Sequence, residues 1–171
     1  GMDEPAHKRY LNDFFTGKHP GSDSRGELYN DDPVTQDARF CGTTASMCGI
    51  EAALFEKNDE KLERGIREDL MLHAYMLTQS GIPMLYSSDE VGRLNDYSYK
   101  NDPDKAADSR YIHRGAFQWD LAKKRKSKTS VEGQIFQTLS RMEQIRRQES
   151  VFDKDCDVYT YDVHDDSILC I

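Results

Sequence analysis

The stretch from Gly81 to Arg114 holds the residues whose types and spacing could do chemistry. A short apolar run, Ile82 to Tyr86, leads to two acids, Asp89 and Glu90. A polar, Asp-rich loop follows and returns Asp108-Ser109-Arg110-Tyr111-Ile112-His113-Arg114. An arginine held beside carboxylates and hydroxyls is suited to gripping a sugar, because its planar fork bonds oxygens in pairs. Pattern alone also fits a plainer reading, in which Arg110 and Asp108 form a surface ion pair worth about 0–1 kcal/mol. Asp89 and Glu90 are adjacent at a strand end, so their side chains point to opposite faces and cannot flank one bond. They read as structural. His113 could bond a sugar hydroxyl or pack the loop, and His73 reads as a packing residue within a helix. The basic run Lys123 to Lys128 lacks interleaved aromatics on an acidic chain, so it reads as a solvated loop. Phe117 and Trp119 could stack on a sugar or pack the loop against the helix that follows.

The bulk numbers narrow the field. The 171 residues suffice for one domain. With 23 basic and 31 acidic residues the formal charge is −8, which argues against nucleic acid as a general partner. No apolar run approaches the roughly 18 residues of a membrane span. Met2-Asp3-Glu4-Pro5 does not look like a signal peptide, and Gly1 before Met2 reads as a tag-cleavage remnant. A cytoplasmic location is expected. Cys41, Cys48, Cys156 and Cys170 form no CxxC pair, so reduced thiols are expected, with no metal and no cofactor.

These residues need elements to position them. Four helices are predicted. Pro5 to about Gly17 has Tyr10, Leu11, Phe14 and Phe15 on one face. Thr43 or Thr44 caps a second helix running to about Phe55. The third is capped by Asp59, carries Leu62, Ile66, Leu70, Ala74 and Leu77 at helical spacing, and stops at Gly81. The fourth, Val131 to Gln148, places Ile135, Leu139, Met142 and Ile145 on one stripe, with Arg146 and Arg147 suited to its C-terminal dipole. Ile82 to Tyr86 reads as a strand buried on both faces of a parallel sheet. Val158 to Val163 and Ser167 to Ile171, around His164-Asp165-Asp166, read as a β-hairpin. Two long loops remain, Lys18 to Cys41 and Val91 to Ser130. Loops beyond about 15 residues are usually functional or disordered.

Leu11-Asn12-Asp13-Phe14-Phe15, Asp37-Ala38-Arg39-Phe40-Cys41-Gly42-Thr43, Gly81 to Asp96, Asp108-Ser109-Arg110 with His113-Arg114, and Gly133-Gln134-Ile135-Phe136-Gln137 resemble, in that order and spacing, the C-terminal part of amylosucrases. These are sucrose-acting members of the α-amylase family, glycoside hydrolase family 13. The resemblance implies an α/β fragment, mostly helical. Residues 1–150 would be the last βα units of a (β/α)8 TIM barrel, from after strand 7 through helix 8. Residues 151–171 would be the first hairpin of a C-terminal β-sandwich domain. The family's chemistry needs a carboxylate nucleophile and a carboxylate acid/base, aided by a third acid. All three would lie before residue 1, so no catalytic residue is expected here. Arg110 matches an arginine on the glucosyl ring, and Asp108 and His113 flank it. Arg39 matches an arginine of the acceptor subsites. Lys8 stands where an acceptor-side arginine is common, and keeps the charge without the fork. Ser88 replaces the glycine of a Gly-Asp-Glu turn. The expected partner is a carbohydrate, sucrose or an α-glucan, with a non-catalytic oligomeric or sugar-binding module as the alternative. A homo-oligomer is also expected, because the stripes of the third and fourth helices and the strand edge would otherwise stand uncovered.

Overall fold

Two long helices carry the core of the chain, whose computed structural model describes residues 3–35, 37–165 and 167–171. Gly1 and Met2, and Asp166 of the expected C-terminal turn, lie outside the described residues. Helix α1 is Glu4–Phe15, capped by Asp3, whose carboxylate accepts the Ala6 N–H. Strands β1, Glu27–Tyr29, and β2, Arg39–Cys41, pair antiparallel, with Tyr29 opposite Arg39 and Glu27 opposite Cys41. Helices α2, Thr44–Met47, and α3, Ile50–Glu56, follow. One helix was expected there. Gly49 divides it by adopting φ +83°, and a Cβ at that position would press on the Asp23 Cβ at 3.0 Å.

Helix α4, Asp59–Thr78, is capped by Asn58, whose Oδ1 accepts the Lys61 N–H at 3.0 Å. Asp59, the expected cap, is instead the first helical residue, where its charge suits the dipole. A short helix α5, Trp119–Lys123, lies in the second long loop, and α6, Val131–Gln148, has the predicted bounds. Ser130 caps α6 by accepting the Gly133 N–H at 3.1 Å.

The apolar stripes of α4 and α6 face each other. Ile66, Ile135 and Leu139 are buried together with Ala45 and Ile50, and Leu62, Leu70, Leu85, Leu94, Val131 and Met142 close round them. Each fully buried side chain of this kind contributes about 1.5–3 kcal/mol. The expectation that these stripes stand open is therefore corrected: the helices cover one another, and Ile145 at the far end of α6 stays exposed. Arg146 does more than answer the helix dipole. Its guanidinium donates to the carbonyls of Leu77, Gln79 and Gly81, closing the C-terminal end of α4.

Two expected β elements are also corrected. Ile82 to Tyr86 forms no regular element and has no ladder partner among the described residues. It is not buried on both faces: Ile82 and Met84 are 81% and 84% exposed, while Leu85 turns in to the core. The C-terminal hairpin reduces to one bridge, Tyr161 to Cys170. The fold is a mostly helical α/β arrangement with a two-stranded sheet, and no barrel is closed among the described residues. No described helix is long and apolar enough to cross a membrane.

Polar side chains organise the long loops. Asn95 accepts the Thr43 N–H through Oδ1 at 2.8 Å and donates through Nδ2 to the Arg25 carbonyl at 2.8 Å. Its own N–H donates to Ser46 Oγ at 2.9 Å. One asparagine thus ties the first loop, α2 and the second loop together. Arg93 is buried and donates to the Gly115 carbonyl at 2.6 Å. Neither was singled out in the sequence.

Candidate functional site

Arg110 lies in a 3-10 turn, Ser109–His113, that Asp108 caps. Asp108 Oδ1 accepts the Arg110 backbone N–H at 3.0 Å and its Nε–H at 2.8 Å, and Oδ2 accepts Nη2–H at 2.8 Å. The pair is bidentate, the geometry in which arginine and carboxylate bind best. These bonds to Arg110 hold the Asp108 carboxyl well down, at about 2, although partial desolvation opposes them. Arg114 adds a second cation 3.9 Å from Oδ2. Asp108 therefore stays ionised, and it is unsuited to general-acid work, which needs a carboxyl held protonated near neutral pH.

The other side of the guanidinium meets an aromatic ring. Arg110 Cζ is 4.3 Å from the Tyr29 ring centroid, a cation–π contact. The turn is fixed to β1 by Ser109 Oγ, which donates to the Leu28 carbonyl at 2.8 Å. Tyr29 stands opposite Arg39 in the ladder, so their side chains leave the same face of the ribbon. Arg39 is exposed there. Beneath this face Cys41, Tyr99 and Ile112 pack with Tyr29 and Tyr111 into a second apolar cluster. A groove of about 490 Å³, lined by Glu27, Tyr29, Tyr99, Lys100 and Ser109 among others, opens beside it. That volume lies within the usual range for a small-ligand cleft.

His113 sits at the end of the same turn, its ring edge-on to Tyr86 with centroids 5.6 Å apart. Burial first, and then the Arg114 charge, lower its pKa, so the ring is neutral at pH 7. Its Nδ1 is buried without a hydrogen-bond partner among the described residues. Lys8 does not join the group by any described contact. It lies exposed on α1 with Nζ 3.0 Å from Glu4 in an i, i+4 pair. The structure thus gathers Asp108, Arg110 and His113 on one turn, sets Arg39 across the ribbon from Tyr29, and pairs Lys8 elsewhere.

Asp89 and Glu90 lie in a 3-10 turn, Asp89–Val91, rather than at a strand end. Glu90 Oε2 accepts the Ser88 N–H at 2.7 Å, a structural role. Asp89 Oδ2 accepts from Thr44 Oγ1 at 3.2 Å and lies 3.8 Å from His73 Nε2. His73 Nδ1 donates to the Asp69 carbonyl at 2.8 Å and lies 3.3 Å from Asp69 Oδ2. A buried acid–imidazole–acid chain therefore links α4 to the turn. Burial alone would lower the His73 pKa, but the Asp69 and Asp89 oxygens that accept from the ring, with the Asp69 charge, outweigh it and lift it to about 10. His73 packs as expected; its charge state was not foreseen. The signal was available, since Asp69 and His73 stand four apart on the face of α4 that carries Ile66 and Leu77.

Among the described residues no three His, Cys, Asp or Glu side chains gather with metal-binding geometry. No protein-family model matches the chain.

Proposed function

We propose that this chain is the C-terminal part of an amylosucrase-like enzyme of the α-amylase family, a glycoside hydrolase or glucosyltransferase acting on sucrose or α-glucans. On this reading residues 1–150 correspond to the last βα units of a TIM barrel and residues 151–171 to the start of a β-domain. The chain carries part of the sugar-binding surface and none of the catalytic carboxylates.

The observation that carries the reading is the Arg110 platform. Two arginines far apart in sequence neighbour Tyr29, Arg110 with its Cζ 4.3 Å from the ring centroid and Arg39 opposite it in the ladder. A planar cation, an aromatic ring and a bordering polar groove suit a ligand with an apolar ring face and a rim of hydroxyls. The order of α4, the Ile82 to Tyr86 segment, long loop and α6, with Leu85 packed against the cluster the two helices share, also accords with a helix–strand–helix remnant.

Titration of isotope-labelled protein with maltoheptaose tests this. Amide shifts are expected at Leu28 to Asn30 and Ser109 to Arg114. They should weaken in Arg110→Ala and in Arg39→Ala. Shifts scattered over the surface, or unchanged by both substitutions, would overturn it. The exposure of Ile82, Met84 and Tyr86 favours a second reading, a non-catalytic oligomeric module. In that case the amide shifts are absent and association remains.

A further inference from the structure

The turn that carries Arg110 borders a second cleft besides the groove next to Tyr29. Asp96, Ser98, Asp102, Lys105, Tyr111 and Arg114 are among its lining residues. Its volume, about 300 Å³, lies at the lower end of the range for a small-ligand site. The groove and the cleft share Tyr99 as a wall but meet the turn at different residues, Ser109 in the groove, Tyr111 and Arg114 in the cleft. Asp108 joins the two places. Its Oδ2 accepts from Arg110 Nη2 at 2.8 Å and lies 3.9 Å from Arg114 Nη1. Two guanidiniums therefore flank one carboxylate oxygen. Arg110 lies over the Tyr29 ring, and Arg114 lies over the Tyr111 ring with Cζ 5.7 Å from its centroid. The Arg114 side chain is as exposed as that of Arg110, 40% against 39%, and so as open to a ligand.

The charges around this cleft are already matched. Arg93 Nη2 lies 3.6 Å from Asp96 Oδ2, Lys105 pairs with Asp102, and Arg114 faces Asp108. An ionic ligand would have to displace one of these partners. A neutral polyol need not, because paired carboxylates keep lone pairs that accept its hydroxyls, and paired lysine and arginine keep N–H groups that donate to them. The groove beside Tyr29 follows the same rule, since Glu27 there is already engaged by Lys100. We infer that the cleft binds a further sugar unit of the ligand held on Arg110, with Arg114 as its contact nearest the platform. One unit on the platform, one in the groove and one in the cleft make the ligand an α-glucan longer than a disaccharide, not sucrose. The inference rests on the sugar reading of the Arg110 platform and narrows it.

Titration of labelled protein with ligands of two lengths tests it. Methyl α-glucoside, a single unit, should shift amides of the Arg110 turn alone. Maltotetraose should also shift Ser98, Asp102 and Lys105, and should bind at least about tenfold tighter, the worth of one hydrogen bond to a charged group. Arg114→Ala should remove that gain. So should Ala116→Trp, which fills the cleft from an exposed position on its lining and leaves every ion pair in place; methyl α-glucoside should bind this variant as it binds the parent. Equal affinity for the two ligands, with shifts confined to the Arg110 turn, would overturn the inference and leave the platform reading standing. A gain with length that survives both substitutions would also overturn it. No shift with either ligand would remove the platform reading, and this inference with it.

Discussion

Ser88 is the residue at which sequence and backbone conflict most sharply. It adopts φ +83°, a left-handed conformation that costs a non-glycine residue about 1–2 kcal/mol. Its hydroxyl is also buried without a described partner. On the proposed amylosucrase-like reading a glycine is usual at this position, and the positive φ is a physical reason for one. Ser88→Gly should raise unfolding stability by about 1–2 kcal/mol in urea; a loss would mean that the hydroxyl is satisfied in solution. His73 sets a pH dependence. Its folded-state pKa of about 10 lies above its ordinary 6.5, so the stability it contributes is whole below about 6.5 and drains away as pH rises through about 10. Asp69, raised by burial, pushes the same way. Asp108 works in the opposite window, because its depressed carboxyl contributes above 3.8 and is lost as pH falls toward about 2. His73→Gln should cost about 3–5 kcal/mol at neutral pH by leaving buried carboxylates unpaired. It should also flatten the fall of the urea midpoint between about pH 6.5 and 10. An unchanged slope would assign that fall to other groups. At this scale the sequence made Asp108 and Arg110 legible, because their spacing is local. It did not show Tyr29 beneath the guanidinium, which only the strand pairing brings there.

Elements were legible where one periodicity ran unbroken. The third and fourth predicted helices hold because their apolar stripes keep helical spacing over many turns, and the helix expected from Thr43 or Thr44 to Phe55 splits because Gly49 can take a conformation that the stripe does not reveal. Ile82 to Tyr86 shows the limit of reading a strand from an apolar run: composition favours a strand, but pairing and burial depend on neighbours that no local pattern specifies. The β1–β2 pair was hidden inside an expected loop because three-residue strands carry almost no periodic signal. What makes those loops ordered is polar and non-local. Asn95 makes three hydrogen bonds to groups far away in sequence, and the two made by its side chain, to the Thr43 N–H and the Arg25 carbonyl, serve backbone atoms. Asn95→Ala should cost about 2–3 kcal/mol, since each abandoned partner loses its bond in a part-buried setting. Hydrogen exchange should show the loss concentrated at Thr43 and in the two long loops, with α6 protection retained. Uniform loss across α4 and α6 would mean instead that the loops and the helical core unfold as one unit.

At the scale of the whole molecule, the two apolar clusters divide the chemistry from the scaffold. The α4–α6 cluster holds the helices together, and the cluster of Cys41, Tyr99 and Ile112 supports the ribbon and the Arg110 turn. Hydrolysis of a glycosidic bond with retention needs two carboxylates about 5–5.5 Å apart, one of them able to give up a proton near neutral pH. Three acids around the turn and the ribbon are already committed. Asp108 is ionised and spent on Arg110. Asp89 is bound by Thr44 and faces His73. Glu27 is engaged by Lys100 and by the Tyr99 hydroxyl. On the proposed reading the platform holds a sugar without a carboxylate pair to cleave it, so binding and turnover should separate in this chain. Purified protein incubated with sucrose should release fructose at the rate of a no-protein control, and should form no glucan, under conditions where maltoheptaose still shifts the Arg110 turn. Fructose release above that control, abolished by Arg110→Ala, would show that a carboxylate pair does assemble at the platform, and would overturn the assignment of this chain as a binding surface alone.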